Sequence, residues 1–313
     1  SNDDYFALIR NFRRHSFLLL VLFGASPAVC SSFVEGRQHE LQQLSAHTLY
    51  LPHATSLRMG RLGYQSDAQA ALAVSYNSLA SYGASLQGAL TRPYPPYEAV
   101  GIHNPGGEYN QLATTLLQIE NEFYGTIRPK RVIRTGERPL HALRERGVEY
   151  VEVRCMDLDP FVPVGIEAST MRLLDVFLLH CLLSDSPPDS PEEIAAIARN
   201  QLRTAAAGRQ PGLKLERAGR EVSLADWGAE LLEACRPIAQ RADAVFGGDA
   251  YRDALRAAQT ALQRMDTLPS ARVLEAMRRQ HDSSYTRFVR TLSEAARAQL
   301  LELPFAESLR EHF

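Results

Sequence analysis

Glu152 and Arg154 stand two residues apart in VEYVEVRCMDLDPF (148–161), and Glu120, Glu122 and Tyr124 occupy alternate positions of TLLQIENEFYGTIRPKR (115–131). Alternation of this kind reads as β-strand, because successive side chains leave a strand on opposite faces. In the earlier segment Leu117, Ile119 and Phe123 share one face, and Gln118, Glu120, Glu122 and Tyr124 share the other. In the later one Val151 and Val153 face one way, and Tyr150, Glu152 and Arg154 the other. Two such strands in one sheet would be apolar beneath and would carry carboxylates, phenols and a guanidinium above. That inventory can hold a divalent cation and phosphate oxygens together, since hard cations take oxygen ligands and guanidinium forks onto oxyanions. An isolated Glu–Arg pair is equally an ordinary surface ion pair, worth little. Two carboxylates on one strand face also fit a solvated edge strand. Residue types alone therefore leave both readings open.

The chain's tight basic cluster, Arg128, Lys130, Arg131 and Arg134, has the same ambiguity. It is either a solvated connection or a source of attraction for nucleotide phosphates. There is no P-loop and no GxGxxG opening a helix, so a nucleotide site would have to be of the sheet-and-metal kind. His53, His103, His141 and His180 are scattered, and none is assigned to catalysis. Arg58 in TSLR and Tyr64 in LGY carry no signal by themselves.

Four long strings, in order and at matching spacing, carry a resemblance: FGASPAVCSSF (23–33), YLPHATSLRMGRLGY (50–64), LLQIENEFYGTIRPKRV (116–132) and GVEYVEVRCMDLDPF (147–161). They resemble the proteobacterial-type glutamate–cysteine ligases, strongly from about residue 5 to 185 and more weakly beyond. The resemblance implies an α+β fold like glutamine synthetase, an antiparallel sheet lining a partial funnel with helices packed outside. It implies ATP, glutamate and cysteine as substrates, with magnesium as the metal and manganese able to replace it. By the same resemblance Glu152 is a metal ligand, and Arg154 and Arg58 orient substrate oxygens. Tyr64 and Tyr124 form walls of the cysteine pocket. The charge of the basic cluster and of the paired carboxylates, rather than the resemblance, is what would put Arg128, Lys130, Arg131 and Glu122 near the nucleotide. The family carries an N-terminal segment with further metal-binding strands before the point that matches the start of this chain. The expectation is therefore a C-terminal part that is inactive alone and has the missing N-terminal segment as its partner. The alternatives are a non-catalytic piece, half of a split enzyme, or a ligase with another acceptor amine.

Composition is ordinary for a soluble globular protein, 45% hydrophobic and 22% charged residues with a net charge of −2, so no global field recruits nucleic acid or anionic membrane; a cytoplasmic location is expected. The two lysines, Lys130 and Lys214, against many arginines and alanines read as genome composition. Cys30, Cys155, Cys181 and Cys235 lack zinc spacing and are expected to be free thiols. Residues 10–30 imitate a secretory or lipoprotein leader, but the apolar run is too short to span a bilayer and its helical period continues upstream.

The elements that must position these groups follow from periodicity and turn signals. Helices are expected over 4–24, 68–90 and 167–183, and after Ser190, a cap with Pro191 at the first helical position. Residues 24–32, 92–97 and 208–219 read as loops or turns. Helices are again expected over 224–244, 249–265, 270–280 and 283–301. Residues 1–185 thus form the catalytic sheet part with its helices, and 186–313 a helical half packed on it and not independent.

Overall fold

The computed structural model describes residues 1–63 and 72–304. Helix α1 (Asn2–Phe23) begins on a capping box, in which Ser1 accepts from the Asp4 backbone and Asp4 answers to Ser1. It ends at Gly24, where a Cβ would stand 2.5 Å from the Leu20 carbonyl and 2.6 Å from that of Thr55. Only glycine permits this approach of two backbones. A three-stranded antiparallel sheet follows, built from β1 (Ala28–Cys30), β2 (Gln42–Ser45) and β3 (Thr48–Tyr50), in the order β1-β3-β2. Helices α2 (Leu79–Thr91) and α3 (Pro95–Val100) precede the strand pair that matters most. That pair is β4 (Ile127–Lys130) and β5 (Tyr150–Val153), antiparallel and separated by α4 (Pro139–Arg146).

The later half is mostly helical: α5 (Ala168–Leu183), α6 (Pro191–Ala207), α7 (Leu224–Ala234), α8 (Arg236–Phe246), α9 (Ala250–Gln263), α10 (Pro269–Gln280) and α11 (Tyr285–Glu302). A hairpin of β6 (Lys214–Arg217) and β7 (Arg220–Ser223) interrupts it. One apolar cluster runs from Phe6 to Leu268 and so draws on both halves of the chain. The C-terminal end of α1 lies at its centre: Phe17, Leu18, Leu19, Leu20, Val21 and Leu22 are all buried, and α5, α6 and α9 pack on α1. Each such side chain contributes about 1.5–3 kcal/mol by leaving water. The leader-like run is thus core, and no described helix is long and apolar enough to cross a membrane.

Several expected elements change on folding. The expected strand over 115–131 shrinks to Ile127–Lys130, and Glu120–Glu122 form a turn of 3-10 helix. The carboxylates are taken by backbone donors: Glu122 accepts from the Gln118 backbone at 2.6 Å, and Glu120 accepts from the Leu140 backbone at 2.8 Å, capping α4. Side chains that bind backbone donors compete with a sheet ladder. The second expected strand contracts to Tyr150–Val153. The helix expected over 68–90 begins only at Leu79; 64–71 lie outside the described residues. Before it the chain is pulled straight, because Asp189 accepts from the Tyr76 backbone while Arg10 donates to the carbonyls of Tyr76 and Asn77. The turn at 92–97 contains the start of α3, with Pro95 and Pro96 where a helix spends no N–H. The expected helix over 224–244 breaks at Cys235, before Pro237. The loop expected over 208–219 holds β6 and the turn Ala218–Gly219, both at positive φ, which suits a tight hairpin.

His15 of α1 stacks on His180 of α5 at 6.1 Å between ring centroids, and its Nδ1 is buried. Burial first, and then the charge of His180, push its pKa from 6.5 down to about 3. Between those values the unfolded chain takes a proton that the folded chain refuses, so stability falls as pH drops through that window. The contribution is at most about 1.4 kcal/mol per pH unit. Urea unfolding at neutral pH and near pH 4.5 should show this acid loss in the native chain and a shallower one in His15→Phe. Equal slopes would place the acid sensitivity elsewhere.

Candidate active site

Strands β4 and β5 pair Ile127 with Val153, Arg128 with Glu152, Pro129 with Val151, and Lys130 with Tyr150. Opposed residues share a face, so Ile127, Pro129, Val151 and Val153 look into the core. Arg128, Lys130, Tyr150 and Glu152 share the opposite face, on which Arg128 is buried and the others are partly or fully exposed, and Arg154 continues that face, its backbone N–H donating to the Thr126 carbonyl. Ile127 is fully buried and Val151 and Val153 pack on the core. The floor is therefore rigid while the upper face carries charge. The N-terminus of α1 ties the start of β5 down: Tyr5 donates to the Glu149 carbonyl at 2.6 Å, and Asn2 accepts from the Val148 backbone at 2.8 Å.

On the polar face Glu152 is 3.4 Å from Arg154 and 3.9 Å from Lys130, its side chain 39% exposed. Tyr124 lies among three cations. The Arg154 guanidinium is over its ring at 4.3 Å, that of Arg128 at 5.8 Å, and Arg58 Nη1 donates to its hydroxyl at 3.3 Å. Arg128 is 5% exposed; it donates to the Asn121 carbonyl, while its buried Nε has no partner among the described residues. Burial, and then the charge of Arg154, lower its pKa. A buried cation this poorly compensated leaves a positive field above the sheet.

The structure brings six of the sequence-derived candidates together: Arg58, Tyr124, Arg128, Lys130, Glu152 and Arg154. Arg131 lies one residue past β4, 3.5 Å from Glu149. Glu122 is on the 3-10 turn, bound to the Gln118 backbone. Tyr64 lies outside the described residues.

Asp157 is the residue that sequence reasoning missed. Its carboxylate, 5% exposed, accepts from Arg58 Nε at 2.6 Å, the Ser26 hydroxyl at 2.7 Å and the Ala25 backbone at 2.8 Å. Arg58 Nη2 donates to the carbonyls of Met156 and Arg154. One carboxylate thus joins the loop after α1, the TSLR loop and the exit of β5. The signal available was a Gly-Ala-Ser loop, whose backbone and hydroxyl can donate and which has no carboxylate of its own, in the same chain as an aspartate just past the polar strand. A 300 Å³ cavity lined by Asp157, Leu158 and alanines of α9 reaches this hub but not Glu152 or Arg154.

The fold and this face define a carboxylate-and-guanidinium platform on a mixed α+β scaffold of helices and small antiparallel sheets. The same scaffold occurs in the crystal structure of glutamate–cysteine ligase from Francisella tularensis in complex with AMP, with a TM-score of 0.90 and 35% identity over 98% of this chain and 60% of that one. A bifunctional glutathione synthetase from Pasteurella multocida shares the fold, with a TM-score of 0.68 at 21% identity over 96% of this chain and 33% of that one. The family model for glutamate–cysteine ligase matches residues 1–204, and the chain belongs to that family. It is 51% identical over 312 residues to the glutamate–cysteine ligase of Azotobacter vinelandii, covering 58% of that protein. It is 50% identical to that of Pseudomonas putida, covering 59%. The chain thus spans 58–60% of the length of these relatives.

Removing the Asp157 acceptor leaves three donors uncompensated. Asp157→Ala should cost roughly 2–4 kcal/mol in urea unfolding, and Asp157→Asn clearly less, since it keeps one acceptor oxygen. A loss in Asp157→Ala below about 0.5 kcal/mol, the size of an ordinary surface change, would show that the hub does not hold these segments.

Proposed function

We propose that this chain forms part of an ATP-dependent ligase that joins the γ-carboxylate of glutamate to the amine of cysteine, the first step of glutathione biosynthesis, working in the cytoplasm. The observation that carries the reading is Glu152 set between Lys130 and Arg154 on one rigid strand face, in a chain of this family. In the reaction a γ-carboxylate oxygen takes the terminal phosphoryl group of ATP, giving γ-glutamyl phosphate and ADP. The cysteine amine then attacks the acyl carbon, the amide bond forms, and phosphate leaves with the C–O bond electrons.

Phosphoryl transfer needs positioning and charge neutralisation more than covalent chemistry from the protein. Arg154 supplies a guanidinium fork whose direction is fixed by the Tyr124 ring beneath it. Lys130 at the end of β4 and Arg131 just past it extend the positive charge of buried Arg128, with Glu122 on the turn before the strand. Arg58, whose Nη1 donates to the Tyr124 hydroxyl, is the guanidinium we assign to the α-carboxylate region of glutamate. Tyr124, with Tyr64, would give the cysteine pocket an apolar wall and a polar tip. The donor set fits a magnesium ion held jointly with phosphate, which takes one or two carboxylates plus phosphate oxygens and water. It does not fit an all-protein cage: among the described residues no three His, Cys, Asp or Glu side chains are grouped to hold a metal. Glu152 would hold that ion, which when bound neutralises phosphate charge. The sheet we read as part of a glutamine-synthetase-like funnel, with 1–185 as the catalytic sheet part and 186–313 as helices packed on it.

Residues 1–313 make up 58% of the Azotobacter relative, and we propose that the remainder completes the metal site. A coupled ADP-release assay of this chain alone should then show turnover far below that of a full-length relative; comparable turnover would overturn this point. In the ligase at family length, Arg154→Lys should lower kcat/KM by about 2–4 kcal/mol, the worth of a preorganised donor. A loss under tenfold, about 1.4 kcal/mol, would make Arg154 a structural ion-pair partner. Truncating Tyr64 or Tyr124 to alanine should raise KM for cysteine about tenfold, the worth of one anchoring aromatic. The KM for glutamate should change little; the reverse pattern would favour another acceptor amine.

A further inference from the structure

The two oxygens of the Asp157 carboxylate face different partners. Oδ2 accepts from the Ser26 hydroxyl at 2.7 Å and the Ala25 backbone at 2.8 Å, so it staples the loop after α1. Oδ1 accepts from Arg58 Nε at 2.6 Å, so it bears on a charged side chain and not on backbone.

A guanidinium is planar and rigid, so two held edges direct the third. In Arg58 the Nε edge is held by Asp157. Nη2 is held by the carbonyls of Met156 at 2.8 Å and Arg154 at 3.2 Å. Nη1 is thereby directed at the Tyr124 hydroxyl, 3.3 Å away. The side chains of Arg58 and Asp157 are 25% and 5% exposed, so water screens the pair little. Two further guanidiniums crowd Tyr124, those of Arg154 and Arg128 at 4.3 and 5.8 Å from its ring centre. Arg58 therefore joins a cationic neighbourhood, and the Asp157 charge offsets the repulsion that would turn it away.

Resting on the ligase reading above, we infer that Asp157 is a positioning residue for that reaction. Through Oδ1 it aims Arg58 and Tyr124 at the amino-acid substrates. This role is separate from the stapling of backbone, which runs through Oδ2, and it acts on substrate only by way of Arg58.

Asp157→Asn separates the two roles. The amide keeps an oxygen for Ala25 and Ser26 but turns its NH2 toward Arg58 Nε–H, donor against donor. In the ligase at family length, KM for glutamate and KM for cysteine should each rise about tenfold, the worth of one hydrogen bond to a charged group. KM for ATP should change by less than about threefold. In an Arg58→Gln background Asp157→Asn should add less than about twofold, because the two residues act as a unit. Arg58→Lys, which keeps the charge but not the planar fork, should give the same pattern of KM values and carries the test if Asp157→Asn does not fold.

Positioning is also read on residues 1–313 without any reaction. In arginine side-chain NMR spectra Asp157→Asn should move the Nε–H signal of Arg58 and, through the Tyr124 ring, that of Arg154. Unchanged amino-acid KM values, an equal rise for ATP, additive losses with Arg58→Gln, or an unmoved Arg154 signal would each overturn the assignment and leave Asp157 a staple. A wild-type ligase of family length that forms no γ-glutamylcysteine would strike the ligase reading instead; the NMR spectra would still decide whether Asp157 aims Arg58.

Discussion

The carboxylate of Asp157 holds three separate segments of backbone at one point, and the geometry of the polar face depends on it. The loop leaving α1 contributes Ala25 and Ser26, the loop before residue 60 contributes Arg58, and Asp157 itself follows β5. Arg58 passes the constraint on, since its Nη1 fixes the Tyr124 hydroxyl and the Tyr124 ring carries Arg154. Gly24 is part of the same constraint, because only the absence of a Cβ lets α1 end against Thr55. α1 brings two further supports: its apolar C-terminal half is core, and its first residues tie down the start of β5.

Two kinds of ion pair meet here, and their magnitudes separate their roles. Arg58–Asp157 is short, nearly buried and reinforced by neutral donors, so breaking it is costly. Glu152 with Lys130 and Arg154 is long, at 3.9 and 3.4 Å, and partly exposed, so each contact is worth at most about 1 kcal/mol. Contacts that weak are readily exchanged for those to a ligand. Three cations, Arg128, Lys130 and Arg154, stand against one carboxylate on that face, which leaves net positive charge where the proposed phosphates would lie. The scaffold is fixed by short, buried bonds and the polar face by long, partly exposed ones.

The strong helices were legible because their signals are local: the apolar period of α1, and Ser190 with Pro191 ahead of α6. The alternation of Tyr150, Glu152 and Arg154 against Val151 and Val153 also survives in β5, with the register putting the polar set on one face. The longer strand through Glu120 and Glu122 was not legible, because its failure depends on Leu140 and Gln118 supplying donors to those carboxylates. The extended run before Leu79 is set by Arg10 and Asp189, both remote in sequence. Asp157 escaped notice for the same reason, since all three of its donors come from segments far upstream. The burial of Arg128 likewise comes from packing, and no basic-cluster count reveals it.

The polar face of β4–β5 is where we propose that the nucleotide phosphates bind. Paramagnetic line broadening by Mn²⁺–ATP on the isotopically labelled chain tests it directly, because the effect reads even a weak complex. Broadening should be centred on the backbone amides of Arg128, Lys130, Glu152 and Arg154 and should disappear with Glu152→Gln. Broadening centred on any other part of the chain, with β4 and β5 unaffected, would contradict the account.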